Sequence, residues 1–449
     1  MVELIEFANR LVWGAPALIL IFGVGLFLSI RTGFAQLTLF PKACRLFWQK
    51  LRRKNCDSGI SSFQALCTAL AATIGTGNLV GVAGAIALGG PGAIFWMWVC
   101  GLLGMMIKFA EVTLAVRYRK NINGEWIGGP MYIISEGLGE KWRFLAKLYC
   151  LFGIFAAFGV GNATQINAVI TGLNQVLIAF GGIVTMRKNL GIGLLLALLI
   201  GTMLLGGAKR IAAAAQFLVP VAACVYLLLC LGVLVLRADA IAAAFASIIR
   251  GAFTPQAVTG GMIGSAFQAL RVGVSRGVFT NEAGMGTASI AHASAEVDMP
   301  AEQGLMGIME VFLDTIVICT MTALVILCSG IPIPYGDDIG AALTSDAFSS
   351  VYGNWSSIIL TLVLCAFAFA TVLGWGLYGA RCAQFLFGAS AWKCFALLQI
   401  LTVVIASVLE TGVVWSFAEL LNGLMVIPNL IALILLSPKL RKLIEQTTL

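Results

Sequence analysis

The run Ala71-Ala72-Thr73-Ile74-Gly75-Thr76-Gly77-Asn78 interrupts a segment, residues 63–88, that is otherwise apolar enough to cross a membrane. Each glycine lowers helix propensity by about 1 kcal/mol, and the threonine and asparagine side chains add polar groups that hydrocarbon cannot satisfy. Such a break is tolerated only where it faces protein or a water-filled cavity. We therefore predict a broken membrane helix, with the break as the candidate binding site.

The composition of the chain excludes a soluble protein. Of its 449 residues, 60% are hydrophobic and 11% are charged, whereas soluble domains contain about 25% charged residues. The net charge of +8 would suit nucleic acid, but the basic residues fall in short runs between apolar segments. We therefore predict a polytopic protein of the lipid bilayer, without a nucleic-acid partner.

The cysteines and the single histidine argue against disulfides and metal sites. The twelve cysteines form no CxxC pair, and most lie within apolar segments, where they act as small apolar residues. His292 lies in a segment that we predict to be polar and cytoplasmic, and one histidine cannot build a zinc site here.

Eleven apolar segments are candidate membrane spans, of which 256–270 is short, and they predict an all-α fold of eleven transmembrane helices. They are residues 11–30, 63–88, 92–116, 145–178, 190–206, 211–236, 256–270, 304–328, 356–378, 394–410 and 413–436. The connections 31–62, 117–147, 207–210, 271–303 and 379–393 and the tail from 437 contain 22 of the 28 lysines and arginines. The positive-inside rule makes these connections cytoplasmic, with the N-terminus outside the cell membrane and the C-terminus inside.

The last ten predicted spans divide into two groups of five with opposite orientations. Each group begins with a span that glycines interrupt, and in the second these are Gly260-Gly261 and Gly264-Ser265. Paired interruptions indicate a transporter site near the bilayer midplane. The predicted parts are an N-terminal span and basic loop (1–62), a first five-helix repeat (63–236), a second, inverted repeat (256–436) and a tail (437–449).

Two other spans carry side chains that could line a cavity. Asn162 and Gln165 share a helix face, either for hydrogen bonds between helices or, for Gln165, as a neutral ligand of a zwitterion. Thr371 and Trp375 also share a face, and the indole either lies at the membrane interface or forms one wall of a small pocket.

Charged residues inside the predicted spans are few. Asp314 lies one turn after Glu310, and a carboxylate at this depth costs about 3 kcal/mol without a partner or a wet cavity. Asp314 therefore serves either a cation or proton route or a structural anchor for an intracellular loop. Lys108 and Glu111, three residues apart, are interpreted as an ion pair on a helix surface.

A set of short motifs runs from about residue 60 to residue 382. The motifs are Gln64-Ala-Leu, Ala72-Thr-Ile-Gly-Thr-Gly-Asn78, Gly89-Gly-Pro-Gly92, Phe95-Trp-Met-Trp98, Lys108-Phe-Ala-Glu111, Tyr118-Arg119, Gly128-Gly-Pro-Met-Tyr132, Arg276-Gly-Val-Phe-Thr-Asn-Glu-Ala-Gly284, Ile290-Ala-His-Ala293, Asp314-Thr315 and Gly374-Trp375. Together they closely resemble the alanine or glycine:cation symporters, also called the sodium:alanine symporter family. The resemblance implies a LeuT-type fold of ten core helices plus one N-terminal helix.

The resemblance also implies uptake of small neutral amino acids, alanine and glycine, coupled to Na⁺ and without another cofactor. The implied substrate residues are Gly75, Thr76, Gly77, Asn78, Gln165 and Trp375. The implied Na⁺ residues are Thr73, Ala370 and Thr371, and a gating or structural role falls to Asp314, Asn281 and Glu282. The chain departs from the family pattern at Ala370, where a threonine is common, so one hydroxyl is missing near the expected cation site.

These observations predict a secondary symporter that works by alternating access and catalyses no covalent chemistry. The alternatives are an H⁺-coupled amino-acid transporter, an ion channel lined by the broken helices and an amino-acid sensor. A membrane enzyme is the weakest alternative, because no nucleophile stands beside a base or a metal set.

Overall fold

The computed structural model of the protein describes residues 7–9, 12–52, 59–253, 256–258, 262–264, 266–336, 340–409 and 412–448. Its α-helices are α1 (Ala15–Arg31), α2 (Ala35–Thr38), α3 (Phe40–Arg52), α4 (Ser62–Thr73), α5 (Val82–Gly89), α6 (Gly92–Arg117), α7 (Pro130–Tyr132), α8 (Arg143–Phe158), α9 (Thr164–Ala179), α10 (Met186–Leu204), α11 (Gly207–Leu236), α12 (Ile241–Phe253), α13 (Ala266–Asn281), α14 (Thr287–His292), α15 (Pro300–Val311), α16 (Thr320–Cys328), α17 (Gly340–Tyr352), α18 (Ser356–Phe387), α19 (Ala391–Ala406) and α20 (Gly412–Thr448).

Strands and wider helical turns complete these elements. Strands β1 (Lys120–Ile122) and β2 (Glu125–Ile127) form one antiparallel hairpin, and β3 (Gln256–Val258) and β4 (Met262–Gly264) form another. π-Helical turns occur at Gly77–Gly81, Ile133–Leu138, Gly159–Ala163 and Phe312–Cys319, and 3₁₀ turns at Glu140–Trp142 and Ala238–Ala240. Three of the π-helical turns interrupt long helices that face the candidate site, a common place for such turns.

The multi-pass membrane architecture is confirmed. Within the described ranges, seven helical stretches are long and apolar enough to span a membrane, and the bent pair Ser62–Thr73 and Gly77–Gly89 makes an eighth. Two shorter apolar helices, Pro16–Arg31 and Ala391–Ala406, overlap the first and tenth predicted spans. The count of eleven spans and the division into two repeats stay predictions.

The predicted break in the span 63–88 is confirmed. Ser61 and Gln64 form a capping box at the start of α4, with reciprocal hydrogen bonds of 2.9 and 3.1 Å. The helix ends at Thr73, because Ile74 takes an extended conformation, and the chain resumes as a helix at Gly77 after a bend of 52°. The glycines therefore interrupt the helix where the sequence predicts.

The second predicted interruption lies largely outside the described residues, and the structure shows a break later in the chain. In the predicted helical span 256–270, residues 256–258 and 262–264 form the hairpin of β3 and β4, α13 begins at Ala266, and Gly260, Gly261 and Ser265 lie outside the described residues. The next helix, α13, ends at Asn281, and the backbone turns through residues 282–286 before α14. The second break therefore lies in the segment 271–303 that the sequence suggested was a cytoplasmic connection. The polar and basic residues of this segment made the partly buried helix α13 resemble a loop in the sequence.

The helix α6 lies at the centre of the fold. It is the most enclosed of the seven long apolar stretches and packs against α13, α14 and α15. Because α14 follows the second break directly, α6 is placed to contact that break along its buried side.

Candidate functional site

Helices α9 and α18 hold the first break from two sides. In α9, the Gln165 Nε2 atom donates to the Thr76 hydroxyl and to the Val160 carbonyl, both at 3.2 Å. In α18, the Thr371 hydroxyl donates to the Ala71 carbonyl at 3.0 Å. The structure thus brings Thr76, Gln165 and Thr371, predicted from distant parts of the chain, to one buried place.

Gly75 lies between Gln165 and Thr371. A Cβ atom at Gly75 would lie 2.9 Å from Thr371 Oγ1 and 3.6 Å from Gln165 Oε1, so a glycine is needed for this close approach. Gln165 Oε1 is buried and accepts no hydrogen bond from the described part of the chain. Buried acceptors without a donor are rare, and this one suits an N–H group of a ligand.

Asn78 connects the first break to the buried carboxylate of Asp314. Its Oδ1 accepts from the Gly75 N–H at 2.9 Å, and its Nδ2 donates to Asp314 Oδ1 at 2.8 Å. Asp314 Oδ2 accepts from the Thr315 hydroxyl at 2.8 Å, and that hydroxyl accepts from Asn281 Nδ2 at 3.2 Å. Asp314 therefore joins the two breaks rather than an intracellular loop.

Gly77 is another place where the two broken helices meet. A Cβ atom at Gly77 would lie 3.4 Å from the Cα atom of Thr280, one residue before Asn281 in α13. The helix that begins at Gly77 therefore packs closely against the end of α13. This contact places the two breaks side by side.

Glu282 and Trp375 meet at the second break. Glu282 has a left-handed backbone with φ of +54°, and its Oε1 accepts from Trp375 Nε1 at 3.0 Å. Its other carboxylate oxygen accepts from the Thr287 hydroxyl. On the opposite side, a Cβ atom at Gly161 would overlap the Trp375 side chain. Trp375 is fully buried, and α18 thus faces one break through Thr371 and the other through Trp375.

The three residues expected to bind the cation do not come together at one site. Thr371 contacts the first break, as described. The Thr73 hydroxyl donates to carbonyls of its own helix, those of Ala69 at 3.3 Å and Leu70 at 3.5 Å. Ala370 lies in an apolar cluster that includes Phe367. Of these three residues, Thr371 is therefore the one whose hydroxyl contacts the first break from another helix.

A cavity of about 190 Å³ leads to the first break beside Thr76. Asn167, Thr171 and Gln175 follow one another along one face of α9 and supply amide and hydroxyl groups to its wall. The described residues that line it are all uncharged.

The opposite side of the molecule is closed by the hairpin of β1 and β2. Arg381 donates to Glu125 at 2.8 Å, and Arg119 donates to the carbonyls of Ala293 at 3.1 Å and Val297 at 2.9 Å. The space left beneath the hairpin is about 20 Å³, roughly the room of one water molecule. The broken helices are therefore open toward the larger cavity and closed toward the hairpin.

Lys108 and Glu111 do not form an ion pair on a helix surface, and His292 lies beside Lys108 inside the protein. All three are fully buried. Lys108 Nζ lies 3.2 Å from Glu310 Oε1, and His292 Nε2 lies 3.0 Å from Glu310 Oε2. Gln303 Nε2 lies 2.7 Å from His292 Nδ1. The interpretation of Lys108 and Glu111 was wrong because this face of α6 packs against α14 and α15.

Glu111 is a site residue that sequence reasoning missed. Its Oε1 accepts from the backbone N–H of Gly284 at 2.9 Å, from that of Gly286 at 3.1 Å and from Asn429 Nδ2 at 2.7 Å. A carboxylate thus satisfies the donors freed by the second break. One signal was present, because Gly284-Met285-Gly286 repeats the glycine spacing of Gly75-Thr76-Gly77.

Comparison with known proteins gives relatives over nearly the whole chain. The model of the sodium:alanine symporter family matches residues 1–448. The sodium/alanine symporter AgcS of Methanococcus maripaludis is 42% identical over 441 residues, which cover 97% of this chain and 95% of that protein. An uncharacterized transporter of Haemophilus influenzae is 44% identical, and the match covers 98% of this chain and 94% of that protein. The probable sodium/glutamine symporter GlnT of Bacillus subtilis is 37% identical, and the match covers 97% of this chain and 88% of that protein.

Solved structures resemble the chain in fold. MhsT in complex with L-phenylalanine has a TM-score of 0.58 at 15% identity and covers 83% of this chain and 89% of its own. The Eremococcus coleocola manganese transporter has a TM-score of 0.54 at 15% identity, with coverages of 86% and 77%. At this identity the likeness concerns the fold alone, and it supports the LeuT-type arrangement of helices.

Proposed function

The chain belongs to the sodium:alanine symporter family, and on that premise we propose that it takes up alanine or glycine together with Na⁺ by alternating access. The names of several relatives support amino-acid symport with a cation, and Na⁺ is the cation in the names of AgcS and GlnT. The relatives' named amino acids differ, so the small substrate is argued from the site. In the cell membrane, the N-terminus is outside and the C-terminus is in the cytoplasm.

The acceptor Gln165 Oε1 at Gly75 carries the proposal. It is buried, has no donor among the described residues and lies 3.6 Å from the place that a Cβ atom at Gly75 would take. The amino group of alanine supplies the missing donor. The substrate carboxylate is then directed to the start of the helix at Gly77, because the positive end of a helix dipole favours an anion.

The remaining residues limit the size of the substrate and bind the cation. Trp375, fixed by Glu282 and Gly161, forms a rigid wall, so only a small side chain fits beside it. Na⁺ takes oxygens near Thr371 and the carbonyls at the end of α4, as helix C-termini favour cations. Binding of Na⁺ between Thr371 and the end of α4 stabilises the break and thereby the substrate site.

Transport in liposomes tests the coupling. Purified protein should take up labelled alanine or glycine when an inward Na⁺ gradient is present, and uptake should saturate with substrate. A pH gradient in choline medium should give no uptake. Uptake that does not depend on Na⁺ but is driven by the pH gradient would establish H⁺ coupling instead. Currents without saturable uptake would indicate a channel, and binding without uptake a sensor.

Calorimetry tests the site. Gln165→Ala should weaken alanine binding by about 10- to 100-fold, since a hydrogen bond to a charged group contributes about 1.5–3 kcal/mol. Gln175→Ala, which removes an amide from the same helix at the wall of the cavity, is the matched control and should leave the affinity nearly unchanged. Equal losses in the two variants would show that the substrate does not bind at Gly75.

A further inference from the structure

The short helix α3 has one basic face and one packed face. Lys42, Arg45, Gln49 and Arg52 recur at intervals of three or four residues and are exposed, whereas Ala43 on the other side is fully buried. This separation of faces is typical of a helix that lies along a surface rather than across a membrane.

The packed face fixes the orientation of α3. The ring of Phe40 lies 4.9 Å from that of Phe312, and the ring of Phe47 lies 6.2 Å from that of Phe63 in α4, centroid to centroid. Lys50 Nζ lies 3.9 Å from a carboxylate oxygen of Glu302. The helix is therefore held against α15, its π-helical continuation and α4, and its basic face points away from the protein.

The surroundings of α3 place it at the end of the membrane-spanning region. It follows the apolar helix α1, which ends at Arg31, and the four-residue helix α2. Trp48 is 57% exposed, and on the helix surface it lies between Arg45 and Arg52, its neighbours at three and four residues. Leu51, 40% exposed, adds an apolar side chain beside Trp48. Exposed tryptophan next to arginine is the composition that membrane–water interfaces favour.

We propose that the exposed face of α3 binds anionic phospholipids of the adjoining leaflet. Arg45 and Arg52 donate to the lipid phosphate, for which the planar guanidinium is well suited, and Lys42 adds positive charge beside them. Trp48 and Leu51 enter the boundary between headgroups and acyl chains. An acidic soluble partner explains the arginines but leaves both apolar side chains in water.

Native mass spectrometry of the purified full chain tests the proposal. The protein is titrated with equal concentrations of dioleoyl phosphatidylglycerol and dioleoyl phosphatidylcholine, and the retained lipids are counted. The wild type should prefer phosphatidylglycerol. Each basic residue near an anionic surface contributes about 1 kcal/mol, a factor of about five, so Arg45→Gln/Arg52→Gln should lower the preference at least fivefold.

A second basic pair provides the matched control. Arg187 and Lys188 are both exposed at the start of α10, and Arg187→Gln/Lys188→Gln removes the same charge from a different surface. This variant should keep the wild-type preference, and all variants should match the wild type in elution volume and Tm. Trp48→Ala should lower the retention of both lipids while preserving the preference.

Three results would overturn the proposal. The first is an unchanged preference in Arg45→Gln/Arg52→Gln, and the second is an equal loss in the Arg187→Gln/Lys188→Gln control. The third is displacement of phosphatidylglycerol by millimolar glycerol phosphate, which would assign this face to a soluble phosphate and not to lipid.

Discussion

At the scale of single residues, glycine allows side chains of neighbouring helices to reach the two breaks. Gly75 allows the close approach of the Thr371 hydroxyl, and Gly161 that of the Trp375 side chain through its Cβ and Cγ atoms. In each case the neighbour occupies the place that a Cβ atom would need. These glycines therefore determine how closely α18 approaches the site, and a methyl group is a direct probe of that approach.

Gly161→Ala should displace Trp375 and destabilise the protein. Because a Cβ atom at residue 161 would overlap that side chain, overpacking should cost about 1–3 kcal/mol. Thermal unfolding in detergent should show a lower Tm, and alanine binding should weaken with it.

The matched control is Gly172→Ala, in the helix α9 that follows the π-helical turn. There the nearest atom, Thr361 Cγ2, would lie at 3.4 Å, an ordinary contact at most slightly tight. The Tm of this variant should equal or exceed that of the wild type, because alanine favours helix. If Gly161→Ala behaved in the same way, the packing of Trp375 against residue 161 would not be as described.

At the scale of elements, side chains supply the groups that satisfy each break, from the same span at the first break and from another helix at the second. The Asn78 amide bonds the Gly75 N–H in the first break, and Glu111 of α6 bonds two backbone N–H groups in the second. A helix interrupted inside a membrane leaves donors that hydrocarbon cannot satisfy. The second break thus depends on a carboxylate far away in the sequence, and its removal should be costly.

Glu111→Leu should destabilise the second break strongly, by about 3–5 kcal/mol, because it leaves buried N–H groups and Asn429 without their acceptor. Glu111→Gln retains one carbonyl oxygen, so a smaller loss of about 1–2 kcal/mol is expected. The measurements are Tm in detergent and hydrogen exchange of a peptide covering residues 284–286.

The control for Glu111 is Glu140→Gln. Glu140 has a side chain that is 82% exposed and lies 3.3 Å from Arg143, an arrangement that contributes little to stability. The Tm and the exchange rates of the Glu140→Gln variant should match those of the wild type. Unchanged exchange at residues 284–286 in Glu111→Leu would show that the second break does not need the carboxylate.

At the scale of the whole molecule, the broken helices are open on one side and closed on the other. The closed side joins their ends: Ile60, just before α4, accepts from the Glu296 N–H at 2.8 Å, shortly after α14. The hairpin of β1 and β2 covers this junction and is tied to α18 through Glu125 and Arg381. The proposed alternating access requires this side to open, so the Glu125–Arg381 contact should control exposure beneath the hairpin.

Arg381→Gln should increase thiol labelling of a cysteine introduced as Ser294→Cys, a buried position under the hairpin. The side chain of Arg381 is 3% exposed and that of Glu125 is 42% exposed, so their ion pair is partly screened, and its loss should amount to about 1 kcal/mol. Labelling at residue 294, followed by peptide mass spectrometry, should therefore rise about fivefold.

Arg441→Gln serves as the control because Arg441 pairs with Glu445 in an exposed contact of 3.0 Å on α20. Labelling at residue 294 should not change in this background. A rise of equal size in both variants, or in neither, would exclude the Glu125–Arg381 contact as the constraint on the hairpin.

The amino-acid sequence by itself determined the membrane class and the first break, because apolar length and the pair Gly75 and Gly77 act locally. It did not locate the second break, since polar residues in α13 resemble those of a loop. Only the tertiary structure decided the partners of Lys108, Glu111 and His292. A polar helix face has the same sequence whether it meets water or protein, and the choice depends on which distant segments pack against it, as Asn429 does against Glu111.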